Sequence, residues 1–517
     1  MNLGLRRIAA IDVGSNSAQL VIANVFENGS FEIIESMKEQ TRMSSFLDKN
    51  LILPQEALQK LSAVLLKMKE FSDAHHAELR AIGTQVFREA RNSQDFCLRL
   101  AKRTGVELEI VSGNEEARLV YLGVNNSIQL NDAKVFLCDI GGGSAELLVG
   151  KSGSTLFSTS LKLGAVRLTV KFLHGNPYTD VEIANLHRYV HARLLPVIEN
   201  IKKYDYSIAI GSSGTIKAVK NLALGLLGNV PPANFHGQNL SRLEIEMVMK
   251  ALMRALEGND RKNLPGLDPK RQDIIFAGTV VLYTLTKMIG IEQWKISTVG
   301  IKEGIILDSI IRLERFNARD IRDIRWNSVV EYGTKLNISE VNGKCVSELS
   351  KKLFAELKNR HKLDDKWLEL LSCAAYLHEC GKILSLASYH KHSSYFIKHS
   401  NMSGFSVREL NLISCIARFH RKRLPRQDDE IYCDLDLKDK GALNFCAVIL
   451  RLVVSLSRGC MGEIQELGLL DDGKFCTLKI KHQTNETLEN SAFEVSLEKV
   501  FFEQVFNLPL VTIFESS

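Results

Sequence analysis

Residues 135–150 of the 517-residue chain read VFLCDIGGGSAELLVG: an apolar run, an aspartate, three glycines and a second apolar run. This order predicts a strand, a tight turn and a returning strand. Consecutive glycines let a ligand approach bare backbone N–H groups, and such a nest of amides binds anions, phosphate above all. Asp139 and Glu146 border the turn and would repel phosphate unless a cation lies between them, for which Mg²⁺ is the usual bridge.

The same pattern occurs near the N-terminus, where DVGSNSAQL at 12–20 aligns with DIGGGSAEL at 139–147. One such motif is also typical of an ordinary hairpin. Two copies in register indicate related subdomains that face each other across a cleft. The order β, β, β, α, β, α, β, α is predicted in residues 1–123 and again in residues 124–315, which makes two α/β lobes.

The pattern changes after residue 316, where helical periodicity replaces the strand signals. We predict a mainly helical domain over 316–463 and a small α/β domain over 464–517. In the latter, residues 475–481 and 492–497 are expected to pair as strands around a turn at Gly473.

Composition limits the classes of protein to consider. A net charge of +6 is mild for this length and implies neither nucleic acid nor a membrane as a partner. Ten cysteines without a C-x-x-C pair favour a reduced compartment, and the N-terminal apolar run is too short for a signal peptide. No apolar run approaches membrane-spanning length. We therefore expect a cytoplasmic protein.

Three turns rich in glycine and serine follow predicted strands and are candidate phosphate sites, with a weaker fourth at 300–304. Several such turns around one cleft indicate a ligand with more than one phosphate. The candidate phosphate-binding residues in these turns are Gly14, Ser15, Asn16, Ser17, Gly141, Gly142, Gly143, Ser144, Gly211, Ser212, Ser213, Gly214 and Thr215.

The carboxylates near these turns suggest two roles. Asp12, Asp139 and Glu146 suit Mg²⁺. Glu115 lies three residues after Ser112, the position of a capping-box glutamate, and is expected to be structural. Glu116 has no capping role and is either a general base acting on water or a solvated carboxylate favoured by the helix dipole.

Two groups of cations are candidate anion sites. Arg88 and Arg91 are spaced i, i+3 on a predicted helix, and either bind phosphate oxygens as a pair or face solvent. A second group lies in the C-terminal part and forms either a polyanion surface or an exposed charged turn. Its members are Lys391, His392, His420, Arg421 and Lys422. The spacing of the histidines there matches no zinc pattern.

A series of motifs in order along nearly the whole chain resembles the exopolyphosphatase / guanosine pentaphosphate phosphohydrolase family, within the actin–sugar kinase–heat-shock ATPase fold. The motifs are AIDVGSNS (10–17), GTQVFREARN (83–92), VSGNEEARLVYLGV (111–124), DIGGGSAELLVG (139–150), GSSGTIKA (211–218), VGIKEG (299–304), LHECGK (377–382), HKHSSYFI (390–397) and ARFHRK (417–422).

The resemblance implies roles for several residues. In the family, the second glutamate of the G-N-E-E-A-R motif activates water, and Glu116 occupies that position here. Glu146 matches a glutamate that is associated with the metal and the attacking water. Two duplicated actin-like lobes would be followed by an HD-like helical domain that lines a basic channel for a polyphosphate chain, and the resemblance suggests a homodimer. The His-Asp doublet of metal-dependent HD enzymes is His378-Glu379 here, so no second metal centre is expected.

The resemblance, together with the turns and carboxylates, implies a Mg²⁺-dependent exopolyphosphatase that would hydrolyse the terminal phosphoanhydride of inorganic polyphosphate and release orthophosphate. The first alternative is a guanosine pentaphosphate (pppGpp) 5′-phosphohydrolase that uses the same site. A second is a polyphosphate or alarmone sensor without turnover, and a third is a sugar kinase of the same fold. The basic residues at 390–393 and 420–423 favour the polyphosphate chain.

Overall fold

The computed structural model describes residues 6–26, 30–128, 130, 132–232, 234–313, 319–400, 402, 404–433, 435–457, 464–482 and 488–516. The chain divides into two compact units, residues 1–318 and residues 319–517. Each unit has hydrophobic cores built from its own elements.

The first sheet of unit one has the strand order β3-β2-β1-β4-β5. Strands β1, β2 and β3 form an antiparallel meander, and β4 and β5 run parallel to β1. The strands are β1 Arg6–Val13, β2 Ser17–Val25, β3 Phe31–Gln40, β4 Glu78–Gly83 and β5 Leu108–Ile110, and the helices are α1 Met43–Phe46, α2 Gln55–Ala74, α3 Gln85–Glu89, α4 Ser93–Thr104 and α5 Gly113–Ser127.

The second sheet repeats this plan with one added edge strand, in the order β10-β11-β9-β6-β7-β8. Its strands are β6 Lys134–Ile140, β7 Ala145–Lys151, β8 Ser154–Leu161, β9 Ile208–Ser212, β10 Asn239–Ser241 and β11 Gln293–Ser297. The helices are α6 Ala165–Phe172, α7 Asp180–Ile201, α8 Gly214–Leu226, α9 Arg242–Arg254, α10 Gly258–Lys262, α11 Ile275–Ile289 and α12 Ile301–Leu313, with a 3₁₀ turn at Pro269–Arg271.

The duplication predicted from the two glycine motifs is confirmed at the level of register. Asp12 pairs with Gln19 across the β1–β2 hairpin, and Asp139 pairs with Glu146 across the β6–β7 hairpin. The central strands are apolar on both faces because helices cover the sheets, as expected where parallel strands are buried. Each aspartate therefore stands at the carboxyl end of a buried strand, beside its glycine turn.

The predicted boundary between the lobes at 123/124 is wrong in one respect. It cuts α5, and α12, which follows the last strand of the second sheet, returns to the first sheet. Ile305, Ile306 and Ile310 of α12 share a hydrophobic cluster with Ile8 of β1 and Leu119 of α5. An apolar helix face is readable from sequence, but the sheet that covers it is not.

Unit two is mainly helical, with a three-stranded sheet in the order β12-β13-β14. Its helices are α13 Arg319–Lys335, α14 Glu340–Glu356, α15 Lys358–His361, α16 Asp365–Leu377, α17 Tyr389–Lys398, α18 Val407–Phe419, α19 Glu430–Cys433, α20 Leu437–Ser457 and α21 Leu488–Phe506. The strands are β12 Ile464–Asp471, β13 Cys476–His482 and β14 Leu510–Ser516.

Two predictions for unit two are wrong. Residues 492–497, predicted as a strand, lie within α21, where Val495 and Phe502 are buried one helical heptad apart. The segment 464–517 is not a separate domain either, because Leu478 and Phe502 share one core with the helical residues of the unit. The predicted turn at Gly473 is present between β12 and β13.

Helix α20 corrects the expectation that no apolar run reaches membrane-spanning length. By length and composition it could cross a membrane, but 78% of its apolar window is buried inside the protein. Its buried face also carries Arg451, whose guanidinium binds Glu498 of α21 at 2.6 Å. Packing as a central core helix accounts for its composition.

Candidate functional site

One cavity of about 270 Å³ in unit one collects the motif residues of both lobes. All four carboxylates singled out from the sequence, Asp12, Glu116, Asp139 and Glu146, line it, as does the N-terminus of α12. The phosphate-turn residues on its wall are Gly14, Ser15, Asn16, Ser17, Gly141, Gly142, Gly143, Ser144, Ser212, Ser213, Gly214 and Thr215. The prediction of a single shared site is confirmed.

The two hairpin turns have the same internal hydrogen bond. The Gly14 amide donates to the Ser17 carbonyl at 3.0 Å, and the Gly141 amide donates to the Ser144 carbonyl at 2.9 Å. The two turns also approach each other closely, since a Cβ on Gly143 would lie 2.7 Å from Oγ of Ser15 in the first turn. It would also lie 1.9 Å from Oε1 of Gln85 at the start of α3, so a larger residue at 143 would displace side chains of the first lobe.

Gly211 is a correction to the predicted phosphate set. It lies within β9, is buried, and does not line the cavity. A Cβ there would lie 2.4 Å from Ile216, so the glycine permits close packing of β9 against α8. The turn proper begins at Ser212, and Ser213 has a φ of 141°, a conformation that favours glycine.

Burial and the crowding of like charges raise the pKa values of three carboxyl groups of the cavity. Desolvation, together with the charge of Glu116, raises the pKa of Asp12 to about 7 and that of Asp139 to about 8. Desolvation and the charges of Glu116 and Asp139 also raise the pKa of Glu146 well above its usual range. Like charges gathered in a cleft are typical of sites that bind a cation or carry out acid–base chemistry.

The donor chemistry of the cavity fits Mg²⁺, although not in the form predicted. Within the described residues no group of three or more His, Cys, Asp or Glu side chains has the geometry of a metal site, so Asp12, Asp139 and Glu146 are not a ready-made three-carboxylate cage. Mg²⁺ is commonly held by one or two carboxylates, waters and substrate phosphates. Oδ1 of Asp12 is buried without a hydrogen-bond partner, which suits such a partial ligand set.

A Mg²⁺ titration at two pH values tests this fit. The unfolded chain releases the protons of Asp12 and Asp139 near pH ~4, whereas the folded protein holds them until pH 7–8. These groups therefore stabilise the metal-free fold at low pH, and that contribution is lost as the pH rises through 7–8. Because the metal needs ionised carboxylates, we expect Mg²⁺ to raise the melting temperature more at about pH 8.5 than at about pH 6.

Scanning fluorimetry with and without Mg²⁺ measures both effects. Asp139→Asn is the matched variant, since it removes one titrating carboxylate and should reduce the pH-dependent part of the shift. An equal Mg²⁺ shift at both pH values would contradict the assignment.

Glu116 is positioned by the first lobe. Its carboxylate binds Nη1 of Arg88 at 2.7 Å, and the same Nη1 donates to the Val111 carbonyl at 3.0 Å. Arg88 is not among the residues that line the cavity, and its hydrogen bonds hold Glu116, while the predicted phosphate contact stays a prediction. Arg91 lies beyond the end of α3 and is exposed, so the predicted arginine pair does not share a helix face.

The other two glutamates are also held by neighbours. Ser160 of β8 donates to Oε1 of Glu146 at 2.8 Å. The Glu115 amide donates to the Ser112 side chain, which confirms the helix cap, while its carboxylate binds Arg118 through two hydrogen bonds. Glu115 therefore makes a structural contact, whereas Glu116 lines the cavity.

Among the described residues four cations line the cavity wall, of which Lys302 and Lys217 lie in the motifs VGIKEG and GSSGTIKA quoted from the sequence. Lys217 is in α8, and the other two are Lys38 at the end of β3 and Arg271 in the 3₁₀ turn. Desolvation and the neighbouring cations lower the pKa values of Lys38 and Lys217. Lys217 could have been found from its place in the GSSGTIKA motif, whereas no sequence signal precedes Lys38.

Four of the five residues predicted to form a polyanion surface in unit two reach the protein surface, and their binding of a polyanion stays a prediction. Lys391 and Lys422 are exposed, and His392 and Arg421 are half-buried. His420 is a correction, since only 1% of it is exposed and its ring bonds the Ala417 carbonyl and the Tyr389 hydroxyl. Desolvation lowers its pKa well below the usual range, so it is a neutral core residue.

Comparisons with known proteins agree with this architecture. Residues 21–313 match the model of the Ppx/GppA phosphatase family, and residues 324–501 match the model of its domain III. The guanosine-5′-triphosphate,3′-diphosphate pyrophosphatase of Vibrio vulnificus is 26% identical over 498 residues, which cover 95% of each chain. That of Pseudoalteromonas atlantica is 26% identical over 454 residues, 87% of this chain and 86% of the relative.

Solved structures that match about three fifths of this chain confirm the duplicated actin-like fold. The Ppx/GppA family member of Aquifex aeolicus has a TM-score of 0.53 and 25% identity, and the match covers 60% of this chain and 99% of that chain. An exopolyphosphatase from Cytophaga hutchinsonii has a TM-score of 0.54 and 23% identity, with coverage of 59% and 98%. With its two lobes and its C-terminal domain both matched, the chain belongs to the Ppx/GppA phosphatase family.

Proposed function

We propose that this phosphatase hydrolyses the terminal 5′-phosphoanhydride of guanosine 5′-triphosphate 3′-diphosphate, releasing orthophosphate and the 5′-diphosphate 3′-diphosphate. The observation that carries the proposal is the pair of relatives with this named activity, which align over 87–95% of the chain, domain III included. This reading takes the place of the polyphosphate preference expected from the basic residues of the C-terminal part.

The charges of the cavity support a substrate with several phosphates. Residues of three turns rich in glycine and serine line the same cavity as the cations Lys38, Lys217, Arg271 and Lys302. Preorganised N–H donors and cations stabilise the charge on a transferring phosphoryl group without reorganising during the reaction. The four carboxylates of the same cavity distinguish it from a purely cationic anion-binding site, which argues against a sensor without turnover.

In the proposed reaction Glu116 orients a water molecule and accepts its proton as the water oxygen attacks the terminal phosphorus. The bond from that phosphorus to the bridging oxygen breaks, and the bridging oxygen keeps the electron pair as it leaves with the 5′-diphosphate of the nucleotide. Arg88 keeps the Glu116 carboxylate in place through its 2.7 Å contact. A Mg²⁺ held at Asp12 and Asp139 would neutralise negative charge on the phosphates.

Inorganic polyphosphate is the second candidate substrate, and a feature of the cavity favours it. No aromatic side chain lines the cavity among the described residues, so this part of the site offers no ring on which a guanine could stack. A chain of phosphates needs no such surface.

The cytoplasmic location and the homodimer that were inferred from the sequence stay predictions.

Initial rates of phosphate release decide between the two substrates. We expect kcat/KM for guanosine 5′-triphosphate 3′-diphosphate to exceed that for long-chain polyphosphate by at least about tenfold, a difference of roughly 1.4 kcal/mol in transition-state binding. The assay is run with and without Mg²⁺, with ATP as a third substrate. Faster release from polyphosphate would favour the second candidate, and binding of either compound without release would favour a sensor.

A further inference from the structure

An ion network lies next to the first turn of α5 and has no part in the reaction as derived so far; it is buried at Glu115, Arg118 and Asp308 and half-buried at its other members. Among the described residues it joins three carboxylates and three guanidinium groups, so their charges balance. The carboxylates are Glu109, Glu115 and Asp308, and the guanidinium groups belong to Arg80, Arg118 and Arg312. None of these six residues lines the cavity.

Asp308 of α12 is the centre of the network. Its carboxylate accepts hydrogen bonds from Arg118 at 2.6 Å, from Arg80 at 2.6 Å and from Arg312 at 2.8 Å. Burial opposes ionisation of this group, but the charges of Arg312, Arg118 and Arg80 outweigh it and hold the pKa of Asp308 well below its usual range. Asp308 is therefore a fixed negative charge inside the protein.

A single guanidinium group connects Asp308 to the helix that carries the base. Nε and Nη2 of Arg118 donate to the two carboxylate oxygens of Glu115 at 2.8 and 2.6 Å, and Nη2 also donates to Asp308. Glu115 lies in the first turn of α5, and Glu116, the next residue, lines the cavity. Arg118 itself lies on α5, three residues after Glu115, so its bond to Asp308 ties this part of α5, and the backbone from which Glu116 extends, to α12.

Helix α12 brings the network and the cavity onto one rigid element. Lys302 at its start lines the cavity, and Asp308 lies six residues further on, about 9 Å along the axis. Between them, Gly304 packs so closely that a Cβ would lie 1.9 Å from the Leu119 carbonyl of α5. The two helices thus meet backbone to backbone, with the ion network beside this contact.

Stability alone is a weak reason for such a network. Desolvation of buried charges offsets most of their attraction, and apolar residues of similar volume often stabilise a core as well. Two-pronged guanidinium–carboxylate contacts do what apolar packing does less well, since they fix orientation as well as distance. We propose that Asp308 is a positioning residue for hydrolysis, which acts through Arg118 to hold the start of α5, and with it Glu116, in the position needed for catalysis.

The proposal rests on the base role of Glu116, and Asp308→Asn tests it. We expect kcat for phosphate release to fall at least about tenfold with KM changed less than about twofold, because a displaced base slows the chemical step without altering the phosphate contacts. Hydrogen exchange should show lost protection in the first turn of α5. This second readout needs no substrate, so it separates failure of the proposal from failure of the proposed function.

A double variant guards against simple loss of folding. Asp308→Asn alone leaves one guanidinium charge unbalanced, whereas Asp308→Asn with Arg312→Gln restores the balance without restoring the link to Arg118. The double variant should fold as the wild type does and still show the kcat defect. Arg325→Met is the matched control, since it removes a guanidinium group with a 4% exposed side chain from an ion cluster in unit two and should leave kcat unchanged.

Each remaining outcome overturns the proposal. A folded variant with wild-type kcat would show that Glu116 does not need Asp308. Reduced kcat with unchanged exchange in α5 would show that the effect does not pass through this helix. Failure of both variants to fold would make the network a requirement of folding and not of positioning.

Discussion

Replacing Glu116 with glutamine is expected to lower kcat for phosphate release by about 10²–10⁴-fold, the usual contribution of a general base. Glutamine keeps the size of the side chain and can still accept a hydrogen bond from Arg88, which binds the glutamate at 2.7 Å. It cannot take a proton from water. Substrate binding depends on the turns and cations of the cavity wall, so KM should change by less than about threefold.

Stopped-time phosphate assays on purified Glu116→Gln measure this loss, and a binding assay with the same substrate checks that the site is intact. Glu107→Gln is the control, because Glu107 is an exposed glutamate of the same lobe that does not line the cavity. Turnover at the wild-type rate in Glu116→Gln would contradict the base assignment.

Replacing Gly304 with alanine is expected to have the largest effect on stability. The added Cβ would lie 1.9 Å from the carbonyl oxygen of Leu119 and 2.6 Å from its carbonyl carbon, which are backbone atoms that no side-chain rotation can move. Helices α5 and α12 would have to separate. Overpacking of this kind costs about 3 kcal/mol, which should lower the melting temperature of unit one by roughly 5 °C.

Activity should fall as well in Gly304→Ala, because Glu116 on α5 and Lys302 on α12 line the same cavity. The control is Gly441→Ala in α20, a helical glycine at which an added Cβ meets nothing within 4 Å. There, alanine should stabilise the helix by about 0.5–1 kcal/mol. Scanning fluorimetry compares the two, and equal melting temperatures would contradict the close packing of α5 on α12.

Alanine is expected to destabilise the protein at Gly304 and to stabilise it at Gly441. Composition alone cannot predict this difference in the stability change. Both lie inside apolar helices, and both would be scored by sequence as weak points of a helix. Whether alanine stabilises or destabilises the protein depends on the atoms that face each Cα. At Gly304 these atoms belong to a helix about 180 residues earlier in the chain, which sequence periodicity does not locate.

The two hairpins show which structural features a short sequence pattern can predict. The alternation of apolar strand, aspartate, glycine turn and apolar strand is a short-range arrangement, and both hairpins form in the predicted register with Asp12 and Asp139 at matching positions. Where a segment was short and its apolar spacing ambiguous, as in 492–497, the prediction of a strand was wrong. There the helix is decided by burial of one face in the core of unit two.

In the candidate site, too, some residues were identified from local sequence motifs and others only from the folded structure. The glycine turns and the four carboxylates were identified from motifs and all line one cavity, with the exception of Gly211, whose glycine serves packing. Arg88 was identified as a cation of the site, but its partner, Glu116, lies 28 residues away and was visible only in the fold. His420 was taken for a surface charge because a basic run surrounds it, yet its ring is buried.

By itself the sequence determined the paired glycine hairpins, the carboxylates beside them and the membership of a phosphatase family, because each depends on residues close together along the chain. Only the tertiary structure decided that α12 returns to the first sheet, that Lys38 and Arg271 join the cavity wall, and that Asp308 reaches Glu115 through Arg118. Ile305 of α12 and Ile8 of β1 lie 297 residues apart in the sequence, and Asp308 and Arg118 lie 190 apart. The formation of such contacts depends on how whole sheets and helices pack, and no local pattern of residues carries that information.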